Sequence, residues 1–151
     1  MRRIVALVAV AGAGAAALAS VQTPAATGPA QIRITNTEVR SARVDVGPRG
    51  SSVGDMDVYS GRLFNRRITG RTLGRSELIC TTTFSGDRNC RGTYSLPRGR
   101  LVVGGTLRFR EIYQLAVLGG TGLYDNARGT LTVTRIDRSP RRELVVFRLT
   151  G

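Results

Sequence analysis

From residue 32 onward, apolar side chains return at every second position in short runs, the period of a strand with one buried face. No stretch carries the 3.6-residue period of a long amphipathic helix. Residues 32–46 alternate over much of their length and stop at Gly47-Pro48-Arg49-Gly50, a cluster that forms turns. The same reading predicts strands over residues 53–64, 68–84 (bent at Gly70 or Gly74), 89–96, 100–109, 112–118, 129–136 and 143–149. Leu96-Pro97-Arg98-Gly99 and residues 137–140 supply turns between them. Eight successive strands with short links predict an all-β fold, an eight-stranded antiparallel β-barrel, because closing such a meander removes the edges that template aggregation. Its interior would admit side chains or one small ligand. A two-sheet sandwich is the alternative that the same pattern allows. Gly61, Gly92, Gly104 and Gly105 fall inside strands, where they suit bulges or tight bends.

The first residues read differently. Arg2 and Arg3 precede an apolar run from Ile4 to Leu18, and Ala17-Leu18-Ala19 supplies small residues, so residues 1–19 are expected to be a secretory signal peptide cleaved after Ala19. The run is shorter than the roughly 20 residues of a membrane-spanning helix, and no stable membrane anchor is expected after cleavage. Residues 20–30, rich in Ala, Thr and Pro, are expected to be a flexible leader, and residues 31–151 form one domain. Cys80 and Cys90 are the only cysteines, and an even number in an exported chain points to a bridge. They flank Ser85-Gly86-Asp87, so the bridge would staple the hairpin of the third and fourth strands.

Composition then narrows the chemistry. The net charge is +13, and all 23 basic residues are Arg. A basic surface attracts nucleic acid or anionic envelope polymers, but an all-Arg usage also fits compositional bias. Export and the few aromatic residues argue against nucleic acid as a partner. The absence of His excludes a Ser-His-Asp triad and imidazole metal ligation, and the absence of Lys excludes a Schiff base. With both cysteines oxidised, thiolate chemistry drops out as well. Carboxylate, tyrosine and arginine chemistry remain, with no metal and no cofactor expected.

Several motifs resemble those of the allene oxide cyclase and dirigent barrel proteins. They are Gly54-Asp55-Met56-Asp57-Val58-Tyr59, Leu63-Phe64, Leu78-Ile79-Cys80, and the run from Leu115 through Gly119-Gly120-Thr121-Gly122-Leu123-Tyr124 to Ala127-Arg128-Gly129. Their order and spacing match over residues 32–149. The resemblance implies a calycin-like barrel holding a ligand in its lumen, confinement and orientation as the source of any catalysis, and a homodimer or homotrimer. It sets Glu38 at the place of a first-strand glutamate and Asp55 in the Gly-Asp motif. Two positions depart from plant cyclases: Gly61 stands where they carry an asparagine, and Cys80 matches a cavity cysteine that is free there. Read without the family, Gly119, Gly120 and Gly122 give a rim turn between the sixth strand and a seventh starting near Gly129.

On the second strand Asp55, Asp57, Tyr59 and Gly61 share one face, and Met56, Val58, Arg62 and Phe64 mostly the other. Either face could point inward. If the first does, Glu38, Asp55 and Tyr59 are the candidate catalytic residues. Tyr94, Tyr113 and Arg128, with Glu77 as a carboxylate partner for an inward arginine, are candidate ligand-binding residues. Three functions fit: a secreted binding barrel for a small apolar or aromatic molecule, with an open apolar lumen; an isomerase, cyclase or coupling guide, with a carboxylate and a tyrosine converging in the lumen; or an envelope-interaction protein, with a plugged lumen and a working basic surface.

Overall fold

A computed structural model describes residues 30–150 apart from 109 and 140. The expected signal peptide over 1–19 lies outside the described residues, as does the expected leader except Ala30. Eight strands follow in order: β1 Gln31–Val44, β2 Met56–Asn65, β3 Gly74–Thr82, β4 Arg88–Leu96, β5 Gly99–Leu107, β6 Ile112–Gly122, β7 Arg128–Arg138 and β8 Arg141–Thr150. Each pairs antiparallel with its sequence neighbours, and β1 pairs with β8 from Gln31↔Arg148 to Thr37↔Arg142, so the sheet is a closed barrel and not a sandwich.

Alternation decides what faces inward. Leu63 on β2, Leu101 and Val103 on β5, Leu131 and Val133 on β7, and Val145 and Phe147 on β8 are fully buried and fill the lumen side by side. Tyr94 meets Phe147 edge to face at 5.1 Å between ring centroids. Cys80 and Cys90 lie directly opposite each other on β3 and β4, and their disulfide points into the lumen with no exposure.

The barrel has two unlike ends. The links β2–β3, β4–β5 and β6–β7, the start of β1 and the end of β8 share the closed end, where buried Tyr124 and Ala127 cover the core. The other four links surround the mouth. Three bulges add one residue each: between Glu38 and Arg40 on β1, opposite Val102 and Val103 on β6, and between Arg135 and Asp137 on β7. Each reverses which parity of its strand faces inward.

Two sequence expectations are corrected. The third strand starts at Gly74 rather than 68 and stops before Phe84, because Asn65 ties the preceding loop through its side chain to Thr69, and Phe84 sits in the β3–β4 turn at 96% exposure. The sixth strand runs on through Gly119, Gly120 and Gly122, and the reversal is made by residues 123–127. A Cβ on Gly120 would stand 2.2 Å from the Tyr124 carbonyl oxygen. Gly120 is therefore a close-approach glycine, while Gly122, at φ 65°, supplies the left-handed step. β7 starts at Arg128, one residue before the expected Gly129.

Candidate functional site

The lower lumen is apolar and filled, whereas toward the mouth its wall turns polar. On β2 the face carrying Asp57, Tyr59, Gly61 and Leu63 points inward. Glu38 on β1 sits opposite Gly61, just before the bulge. Tyr94 on β4 and Tyr113 on β6 project from the far wall, and together these side chains enclose a narrow cleft. The cleft, about 20 Å³, has room for a water or two.

Four cleft residues were not singled out from the sequence. Asn36 and Ser76 face inward from β1 and β3, Arg141 and Glu143 from β8. Glu143 is 6% exposed, and its carboxylate is fixed from two sides. Asn36 Nδ2 donates to Oε2 at 3.2 Å, and Arg141 Nε donates to Oε1 at 3.0 Å. Ser76 Oγ donates to Asn36 Oδ1 at 2.9 Å, which sets the amide's orientation. The Arg141 guanidinium also lies 3.5 Å from Glu38 Oε2 and 5.4 Å over the Tyr59 ring. Burial pulls the Arg141 pKa down, but Glu143 and Glu38 more than offset it, so the cation is held. One cation thus bridges two carboxylates at the neck of the lumen.

The tyrosines differ from free phenols. Burial, and next the nearby Glu143 charge, raise the Tyr94 pKa; burial, then Tyr94 and Glu143, raise that of Tyr113. Both remain neutral hydroxyls that can donate to an oxygen gaining negative charge. Nearer the rim, Asp57 pairs with Arg88 at 2.6 Å and with Arg43 at 3.6 Å, and Arg88 Nη1 donates to the Tyr59 hydroxyl at 3.4 Å.

Glu38, Tyr59, Tyr94 and Tyr113 are therefore brought together, and three expected residues are not. Asp55 is fully buried but sits outside the cleft, where it accepts the backbone N–H groups of Val46 and Ser52 at 2.9 and 2.8 Å and the Ser52 hydroxyl at 2.9 Å. Those bonds, led by the one from the Ser52 backbone, hold its pKa down at about 2, the opposite of what a proton acceptor near neutral pH needs. It pins the β1–β2 loop. Glu77 faces outward, because β3 sends Ser76 and Leu78 inward. Arg128 is exposed at the closed end, its Nη1 donating to the Ala127 carbonyl at 3.1 Å.

Comparison with solved structures finds the same barrel in several proteins. A pyocyanin demethylase superposes with TM-score 0.69 at 26% identity, covering 80% of this chain and 99% of that one. A Diels-Alderase from Streptomyces koyangensis gives 0.60 at 14%, covering 79% of this chain and 64% of that one. A pterocarpan synthase dirigent protein gives 0.54 at 15%, covering 80% and 85%. The last two show the fold alone. Comparison by sequence with curated proteins yields no match. The family model described as the allene oxide cyclase barrel-like domain matches residues 35–147, most of the closed sheet and every strand that lines the cleft, and the chain belongs to that family.

Proposed function

We propose that the protein binds a small apolar or aromatic molecule at the polar end of its lumen and moves a proton on it, in the manner of an isomerase or cyclase. The observation that carries this reading is the convergence of Glu38, Glu143 and three tyrosines on one cleft above an apolar floor. Glu143, kept in place by Asn36 and Arg141, is the proton acceptor. Tyr94 and Tyr113 donate hydrogen bonds to the oxygen on which charge builds. The floor of Leu78 and neighbouring apolar side chains orients the ring system. Since the resting cleft has room for little more than water, ligand entry requires the side chains that line it to move apart. The demethylase of 26% identity supports a small-molecule reaction over a purely structural role.

Pyocyanin is the first compound to assay, followed by conjugated ketones and phenols, with tyrosine fluorescence reporting binding. Glu143→Gln is expected to bind like the parent and to lose at least a hundred-fold in turnover. Binding without turnover in both proteins would leave a carrier barrel instead. We also propose export, supported by the signal-like residues 1–19 and the internal bridge. N-terminal sequencing of protein recovered outside the cell is expected to start at Ser20.

A further inference from the structure

The two ends of the barrel carry opposite charge arrangements. Apart from Glu77 and Asp125, every acidic residue lies in the half of the barrel toward the mouth or in its links, and every ion pair among the described residues is made there. The closed end is different. Arg66, Arg67 and Arg71 stand in the β2–β3 loop, Arg98 and Arg100 at the β4–β5 turn, and Arg128 at the start of β7. Arg33 and Arg148 extend the set onto the paired ends of β1 and β8. All are exposed, none is in an ion pair among the described residues, and Asp125 is the sole acid on this end.

These arginines do not form a stripe. They run around the whole rim, contributed by the β2–β3 and β4–β5 links, the start of β7 and the paired ends of β1 and β8. A ring of charge on the flat end of a cylinder matches a planar array of anions rather than a linear polymer, which would need a groove. Apolar side chains are set among the charges: Ile68 at the tip of the arginine loop is over a third exposed, and Leu73, Leu96 and Pro97 border a shallow depression beside Arg62 and Arg75. Among the described residues no aromatic side chain is exposed on this end to stack on bases, and the fully exposed ring of Phe84 is at the mouth.

We propose that the closed end docks on the surface of a membrane rich in anionic phospholipid, the arginines meeting headgroup phosphates and Ile68 dipping among them, with the mouth turned to the surrounding solution. The test uses the full chain and two sets of vesicles, phosphatidylcholine alone and phosphatidylcholine with phosphatidylglycerol. Any contribution from the N-terminal apolar run and from Arg2 and Arg3 is common to the parent and both variants below. Binding is expected to favour the phosphatidylglycerol vesicles, to weaken with salt, and to fall about five-fold per arginine in R66Q/R67Q/R71Q. R49Q/R108Q/R110Q removes the same charge at the mouth and is expected to change the preference little. Melting curves of both variants confirm folding. Equal binding to the two vesicle types overturns the proposal, as does an equal loss in both variants, which would reflect net charge alone. Tighter binding to double-stranded DNA, lost in the same variant, would also overturn it by making the ring a nucleic-acid surface.

Discussion

At residue scale, Gly61 matters for what stands where its side chain would be. A Cβ there would lie 2.1 Å from Asn36 Oδ1 and 2.8 Å from Ser76 Oγ, the atoms that orient Glu143. Gly61→Ala is expected to push Asn36 aside, costing roughly 1–3 kcal/mol in a denaturant titration and lowering kcat more than it raises KM. Asp55 gives a pH signature. Its folded pKa of about 2 lies below its ordinary 3.8, so its stabilising effect is complete above 3.8 and is lost as pH falls through the folded value. Denaturation midpoints of the parent should drop across that window, whereas Asp55→Asn should start lower at neutral pH and lack that part of the drop. Glu38, Tyr59, Tyr94 and Tyr113 were legible in the sequence because each lies on an alternating strand with a matching motif or face. Glu143 shares the parity of Val145 and Phe147 and was legible in principle, as an acid on an apolar stripe. Arg141 was not, since the expected strand began beyond it.

At the scale of the element, the bulges are what convert strands into a site. After the extra residue near Val39, β1 turns Ser41 and Arg43 inward opposite Tyr59 and Asp57, and the β7 bulge sets Arg138 opposite Arg141. Deleting Val39 should restore simple alternation with Ser41 and Arg43 still opposite Tyr59 and Asp57, straighten β1 at the mouth and lower the thermal midpoint, while leaving the lower core intact. The β3–β4 hairpin has a separate fastening. Cys80→Ala with Cys90→Ala is expected to cost roughly 2–3 kcal/mol in the chain-entropy account of a loop this short. Period-2 patterning revealed the strands, but a bulge looks in sequence like a lapse in the pattern. The glycine run misled for a related reason: glycine serves a turn and a crowded strand equally well, and only the Tyr124 backbone pressed against Gly120 tells them apart.

For the whole molecule, closure was legible from the number and spacing of strands, while sidedness was not. A formal charge of +13 says nothing of where the acids sit, and only the three-dimensional arrangement separates a paired, mixed mouth from an arginine-ringed base. Closure also makes the last strand indispensable. A chain ending before Arg141 would expose the edges of β1 and β7, and it is expected to elute as aggregate in size-exclusion chromatography. If the base rests on lipid as proposed, such vesicles should leave turnover unaltered, because substrate approaches from the opposite side.

The sulfur bridge hidden inside the cylinder has a practical corollary. With neither Cys80 nor Cys90 touched by solvent, a dilute thiol must wait for neighbouring staves to part before it can attack. The speed of reduction is thus a clock for breathing of the wall, and a guest lodged in the interior would slow it even when no chemistry ensues.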